Sequence, residues 1–156
     1  MNSQTDWSTT KIAVAGLAGG AAEVLWIWLV GASFGTESWQ VSRAVTATVA
    51  PVYAESAAAP WAGLAIHFLL SFALAATFAQ TLARRLHGAA LYASAIGALA
   101  LVWAFNFLVL LPAINPAFTT LLPHPVTLIS KLLFGMAMAA VLGRGVGRRG
   151  AQASKA

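Results

Sequence analysis

The chain has 156 residues, 60% of them hydrophobic and 8% charged, and its mean hydropathy is +0.79. A soluble domain of this length needs a more polar surface, so the composition indicates an integral membrane protein in contact with the lipid bilayer. The chain has no cysteine, which excludes disulfides, thiol-attached haem and iron–sulfur clusters. Its net charge of +5 would suit nucleic acid, but the charges cluster at the ends of apolar runs, so no nucleic-acid partner is expected.

Four apolar runs are long enough to cross a bilayer, which takes about 20 residues at ~1.5 Å each. We therefore predict an all-α integral membrane four-helix bundle that forms one transmembrane domain over residues 1–143. Its spans are expected at about residues 12–34, 61–83, 89–111 and 126–143. Residues 144–156 are rich in Gly and Arg and have no apolar face, so they are expected to form a basic cytoplasmic tail.

The segment between the first two predicted spans is rich in small and polar residues. Val41, Val45 and Val49 recur there at helical spacing. Thr36 can cap a helix N-terminus, and Pro51 ends the pattern. We therefore expect a short amphipathic interfacial helix over about residues 37–50, which lies on the membrane surface or caps the bundle.

Positive side chains fall mainly on one side of this four-span arrangement. Arg43 lies on one side, and the other side carries Lys11, Arg84, Arg85, Arg144, Arg148, Arg149 and Lys155. Because cytoplasmic loops of membrane proteins carry an excess of Lys and Arg, both termini are expected to be cytoplasmic. All six prolines lie in the two outward connections of this topology, which agrees with uninterrupted spans.

Polar side chains inside the predicted spans are costly in hydrocarbon and are therefore candidates for function. His67, Asn106 and Lys131 lie five or six residues inside the outward end of a span, ~8–9 Å deep at ~1.5 Å per residue. Glu23 is expected to lie deeper, ~16 Å from the same surface. The four are predicted to form an intramembrane polar layer, with possible support from Ser71, Thr127, Ser130 and His124.

The state of Glu23 is left open by the sequence. Side chains lean toward the N-terminus of their own helix, so Glu23 leans inward and Lys131 leans outward in antiparallel spans. A direct ion pair therefore needs a favourable tilt or a bridging water. Otherwise Glu23 is protonated or hydrogen-bonded, and Lys131 extends toward the interface.

Small residues at four-residue spacing predict where helices approach one another closely. Such residues let helix backbones pack tightly in a bilayer. The predicted packing positions are Gly16, Gly19, Gly20, Gly97 and Gly135.

Residues suited to catalysis are scarce. The chain has no phosphate-binding loop, no nucleophile elbow and no carboxylate pair suited to hydrolysis, so we expect no catalytic residues and no enzyme. The spacing of His67, His87 and His124 fits no zinc site, so no metal or cofactor is expected. Only His67 and His124 could share an outward site for haem or a metal, and haem or quinone binding in the outer half remains a lesser alternative.

Several short patterns resemble a group of small four-span bacterial inner-membrane proteins, sometimes labelled "sodium:proline symporter". They are Gly-Gly-x-x-Glu-Val-x-Trp-Ile over 19–27, Ile66-His67, Trp103-x-x-Asn106-Phe107, Asn115-Pro116-x-Phe118 and Pro125-Val126-Thr127-x-x-Ser130-Lys131. The resemblance implies a multi-pass protein of the bacterial inner, or cytoplasmic, membrane. True symporters of that name have many more spans with broken helices, so no sodium or proline site is carried over.

Two functional hypotheses follow. The first is a non-enzymatic membrane protein that acts by helix–helix interaction, as an accessory subunit of a larger complex or as a homo-oligomer. The second is a small proton- or cation-coupled transporter or conduit that uses Glu23, His67 and Lys131.

Overall fold

The computed structural model describes residues 7–144, and over this range the chain is 85% helical and has no strand. Short 3₁₀ turns follow the first three helices, and a π-helical turn, Asn106–Leu110, joins the fourth helix to the fifth. The α-helices are α1 (Thr9–Gly31), α2 (Ser38–Val49), α3 (Ala59–Thr81), α4 (Gly88–Phe105), α5 (Leu111–Ile114), α6 (Pro116–Thr119) and α7 (His124–Gly143). The predicted basic tail lies outside the described residues except for Arg144.

The described range contains four segments that are long and apolar enough to cross a membrane. They are Thr9–Phe34, Ala59–Thr81, Gly88–Ile114 and His124–Gly143. The all-α class and the four helices of spanning length are thus confirmed. Large apolar side chains on their outer faces, among them Leu29, Leu69 and Leu101, are 77%, 68% and 73% exposed, as suits helices that contact lipid.

Proline placement differs from the prediction, because three of the six prolines lie inside these segments. Pro60 and Pro125 are in the first turns of α3 and α7, where proline is tolerated, whereas Pro112 lies well inside the third segment. A proline in a helix lacks an N–H and its ring crowds the carbonyl four residues earlier. The π-helical turn ends directly before α5, which carries Pro112 in its first turn. The local change of helical pitch thus accommodates the proline without ending the segment.

The short helix predicted between the first two spans is present as α2. Its N-cap is Glu37, which forms a reciprocal capping box with Gln40. Thr36, the expected cap, instead donates its hydroxyl to the carbonyl of Leu121 at 2.5 Å. The loop before α7 is thereby tied to the start of α2.

The long helices pack as an open series and not as a closed ring. In the described chain the main contacts join α2 to α3, α3 to α1, α1 to α7 and α7 to α4, while α3 and α4 make no comparable contact. We call the end where α1 ends and α3 and α7 begin the α2 end, and the opposite end the terminal end. The series of helices therefore leaves a gap between α3 and α4.

The apolar core lies toward the terminal end. Phe134, Met138 and Leu142 of α7 are fully buried there, among alanines of α1, α3 and α4 and the larger side chains of Leu91 and Leu99. Lys11 at the start of α1 donates to the carbonyl of Arg144 after α7, and its ammonium lies 4.3 Å from the centre of the Trp7 ring. At the α2 end, the only other buried apolar cluster of the described residues is much smaller and comprises Ile27, Leu122 and Val126. The helices are therefore well packed at one end and spread apart at the other.

Four of the five predicted packing glycines lie at helix contacts. A Cβ at Gly19 would lie 2.8 Å from the Phe134 ring, and one at Gly20 would lie 2.7 Å from Ser71 Oγ. The corresponding closest distances are 2.9 Å at Gly16 and 3.0 Å at Gly135. These glycines permit the close approach of α1 to α3 and α7, and of α7 to α4.

Gly97 does not pack against another helix of this chain, so that prediction is wrong for the described structure. It is exposed, and a Cβ there would meet nothing within 4 Å. The spacing rule misassigned it because spacing does not determine which face of α4 points toward α7.

Gly63 is a packing position that the spacing did not identify. A Cβ there would lie 1.7 Å from the carbonyl oxygen of Ser42, so only glycine allows α2 to approach α3 this closely. Thr46, 1% exposed, donates its hydroxyl to the carbonyl of Ala59 at 2.6 Å in the same contact. The α2 helix is thus packed tightly on the first turns of α3.

Candidate functional site

Glu23 of α1 and Lys131 of α7 form a direct ion pair. Lys131 Nζ lies 2.7 Å from Oε1 and 2.8 Å from Oε2 of Glu23, and each side chain is 13% exposed. Of the alternatives that the sequence left open, the direct pair is the one present in the structure. The flexible four-carbon stem of Lys131 overcomes the opposite lean of the two side chains.

Glu23, Lys131 and His67 lie at a similar level along their helices. Glu23 lies eight residues before the last residue of α1, Lys131 seven after the first of α7, and His67 eight after the first of α3. At ~1.5 Å per residue all three are ~10–12 Å from the α2 end. The 3₁₀ turn Ala32–Phe34 continues the first spanning segment to the predicted end, so the depths below a membrane surface stay predictions.

Two hydroxyls of α7 link the ion pair to its surroundings. Ser130 Oγ donates to the carbonyl of Thr127 at 2.7 Å and lies 3.4 Å from Glu23 Oε1. The Thr127 hydroxyl accepts from Trp103 Nε1 at 3.0 Å and donates to the carbonyl of His124 at 3.0 Å. The two predicted supporting residues therefore connect α7 to α1 and α4.

His67 contacts α1 through its ring. Its Nε2 lies 3.2 Å from the carbonyl oxygen of Gly20, and because a carbonyl can only accept, Nε2 carries a proton. The other ring nitrogen, Nδ1, has no partner among the described residues. Ser71 supports the helix and not the ring, since its hydroxyl donates to the backbone carbonyl of His67 at 2.8 Å.

Asn106 and His124 lie nearer the α2 end than the ion pair. Asn106 begins the π-helical turn, and its carboxamide has no hydrogen-bond partner in the described part of the chain. The His124 ring packs edge-on against Trp103 and Phe107, with centroids 5.9 and 6.1 Å apart. The structure does not bring His124 into one site with His67, and the described residues contain no cluster of three side chains suited to a metal.

The polar groups line an apolar cavity of about 470 Å³ in the half of the bundle toward the α2 end. All four long helices and α2 contribute to its wall. The polar lining residues are Glu23, Lys131, Ser130, Thr127, His67, Asn106, Ser42 and Thr48, and the apolar ones include Ile27, Trp28, Val45, Leu64, Val102 and Leu110. The predicted polar layer is therefore one part of a much larger site.

The cavity adjoins the gap between α3 and α4. Leu70 of α3 and Leu110, in the turn after α4, both line it and are 54% and 38% exposed. Their neighbours Leu69 and Val109 belong to the apolar outer surface, with 68% and 57% exposure. This part of the cavity wall thus reaches the apolar outer surface of the bundle.

The role of α2 in this site was not foreseen. Val41, Val45 and Thr48 face the cavity, so the helix forms one of its walls. Asn115, between α5 and α6, holds the helix in place, because its Nδ2 donates to Thr48 Oγ1 at 2.9 Å. Asn115 was visible in the sequence as part of a short pattern, but no local signal connected it to α2.

Comparisons of the chain with protein-family models, with curated proteins and with solved structures found no match. The resemblance to small four-span bacterial proteins stays a prediction. The function has to be inferred from the cavity and the polar groups around it.

Proposed function

We propose that this chain is a multi-pass membrane protein that binds a small amphipathic molecule in the cavity between its helices. The observation that carries the proposal is the apolar cavity of about 470 Å³ with an ion pair in its wall. Small-molecule sites typically enclose roughly 300–1,000 Å³ and combine apolar walls with a few placed polar groups. The binding activity needs no catalytic residue.

The position of the ion pair supports a ligand site over a purely structural contact. An ion pair is costly to desolvate, so a pair sealed among apolar side chains would lose its hydration and offer no atom to a ligand. Glu23 and Lys131 instead form part of the cavity wall, next to His67 of α3. A molecule in the cavity can therefore reach the polar groups.

A location in the bacterial inner membrane with both termini cytoplasmic is part of the same proposal. The four spanning-length helices and the exposed leucines support a membrane location. Lys11, Arg84 and Arg85 lie near helix ends at the terminal end, which supports a cytoplasmic position for that end. The α2 end would then face outward.

Interaction with another membrane protein or with a second copy is a further candidate function. Gly97 of α4 is exposed beside Ala93 and Leu101, and no helix of this chain covers this face in the described structure. Small residues on a lipid-facing helix permit close packing of another helix. An accessory-subunit or homo-oligomer role remains compatible with ligand binding.

Proton- or cation-coupled transport would use the same cavity. Glu23, His67 and Lys131 all line it, and intramembrane ionisable residues commonly mark ion pathways. With so few helices such a conduit would need an oligomer. Transport would therefore use the proposed binding site and would need no second site.

Ligand binding can be tested by tryptophan quenching with the protein in lipid nanodiscs. Trp28 lines the cavity, so a long-chain bromoalkanol bound there should quench its fluorescence saturably, while probe dissolved in lipid quenches in proportion to its concentration. Val102→Phe fills the cavity and should abolish the saturable component. The matched control Leu101→Phe lies on the exposed face and should retain it. An unchanged saturable signal in Val102→Phe would contradict the proposal.

A further inference from the structure

We propose that the cavity selects amphiphiles with an uncharged, oxygen-bearing head group, which binds at Lys131, His67 and Asn106 with its apolar body toward the α3–α4 gap. The inference rests on the proposed binding function and specifies its ligand class. It follows from the charge balance of the cavity wall and from the polar atoms that no protein group satisfies.

The charge balance disfavours a charged head group. The Glu23 carboxylate and the Lys131 ammonium are in contact, and no other Asp, Glu, Lys or Arg lines the cavity in the described structure. A carboxylate near Lys131 would meet the Glu23 oxygens that are already 2.7 and 2.8 Å from Nζ, and an ammonium near Glu23 would meet Lys131. Either ion would lose its hydration without a net opposite charge in return.

An uncharged head group can satisfy polar atoms that lack partners. An ammonium has three donors, and Lys131 directs its contacts at two oxygens of Glu23, which leaves one donor. His67 Nδ1 can accept in the neutral ring, and the Asn106 carboxamide can both donate and accept. Neither group has a partner among the described residues. These groups come from α7, α3 and the turn after α4, and all three residues line the one cavity.

The matching head groups carry hydroxyl or carbonyl oxygens. A carbonyl oxygen can accept from Lys131 or Asn106, and a hydroxyl can also donate to His67 Nδ1. Alcohols, phenols and quinone-type carbonyls on an apolar body share this chemistry. Haem fits less well, because its propionates are charged and the structure does not place His67 and His124 in one site.

The apolar lining accounts for the rest of the ligand. Ile27, Val45, Leu64 and Val102 form walls that favour a hydrocarbon body by burying apolar surface. Leu70 and Leu110 lie both in this lining and at the exposed gap between the helices. A ligand dissolved in the bilayer can therefore approach with its apolar part already in lipid.

The test compares three bromoalkyl probes of equal chain length whose heads are an alcohol, a carboxylate and an ammonium. The saturable part of the tryptophan quenching in nanodiscs of uncharged lipid gives the affinity of each probe, with Val102→Phe as the cavity-filled reference. We expect the alcohol to bind the wild-type protein about tenfold more tightly than either ion, which corresponds to ~1.4 kcal/mol.

Two variants invert the expected preference. Glu23→Gln leaves the Lys131 charge uncompensated and should raise the affinity of the carboxylate about tenfold or more, and Lys131→Met should do the same for the ammonium. Equal affinities, or tighter binding of an ion by the wild-type protein, would overturn the head-group inference and leave the binding function standing. Absence of saturable quenching by all three probes would overturn both. The wild-type comparison decides the inference even if a variant does not fold.

Discussion

Lys131 Nζ lies between the two carboxylate oxygens of Glu23, 2.7 and 2.8 Å away, and so joins α7 to α1 across the wall of the cavity. The pair places ionisable side chains inside two segments of spanning length. Removing one partner leaves the other charge without compensation in low-dielectric surroundings.

Replacing one partner of this pair should destabilise the protein more than replacing both. Glu23→Gln and Lys131→Met should each lower the free energy of unfolding by roughly 3–5 kcal/mol, the range for a broken buried pair. The double variant Glu23→Gln/Lys131→Met should recover part of this loss. Denaturant unfolding in a mild detergent measures the cycle, and additive losses in the double variant would contradict a coupled pair.

Glu23→Gln also tests proton or cation transport. If the carboxylate carries protons, the variant should abolish flux in liposomes while the bundle remains assembled, because the amide cannot take up a proton at neutral pH. Size-exclusion chromatography provides the assembly control. Wild-type flux in the Gln variant would exclude Glu23 as the carrier of the coupling ion.

Gly63→Ala should disrupt the contact between α2 and α3. The added methyl would lie 1.7 Å from the carbonyl oxygen of Ser42, which is backbone and has to move. Overpacking of this kind costs roughly 1–3 kcal/mol and sometimes more, seen as a lower Tm in detergent. Gly97→Ala is the matched control, because a Cβ there meets nothing within 4 Å and alanine favours the helix. Equal Tm values for the two variants would argue against the close α2–α3 contact.

Thr127→Val should destabilise the protein, because it removes the hydroxyl that links α7 to α4. The substitution removes the acceptor for Trp103 Nε1, 3.0 Å away, and leaves that N–H without its partner. We expect a loss of roughly 1–3 kcal/mol in the free energy of unfolding. Thr81→Val is the control, since the Thr81 hydroxyl bonds only to the Thr77 carbonyl of its own helix and is exposed. The idea fails if the two variants unfold alike.

The orientation can be measured by introducing single cysteines, because the chain has none of its own. Glu55→Cys lies in the exposed connection between α2 and α3, and Arg85→Cys lies in the exposed turn after α3. A membrane-impermeant maleimide applied to intact cells should label the first and not the second. Labelling after permeabilisation controls for thiol reactivity, and the reverse pattern would refute cytoplasmic termini.

Helix content and the number of spanning segments were predictable from the sequence. An apolar run of spanning length and a change to small polar residues are local properties, so the four segments and the short α2 helix could be located to within a few residues. The choice of Glu23, His67, Asn106 and Lys131 was also local, because polar residues inside apolar runs are recognisable one at a time.

Which of these residues and helices contact one another was decided by the tertiary structure. The sequence left the pairing of Glu23 with Lys131 open, because the two side chains lean in opposite directions in antiparallel helices. The packing of α1 against α7 brings them into contact. The unpacked Gly97 and the contact at Gly63 depend on the rotation of a helix about its axis, which apolar composition on all sides leaves undetermined. The cavity exists because α3 and α4 do not pack together. A local sequence pattern cannot predict that two helices leave a gap between them.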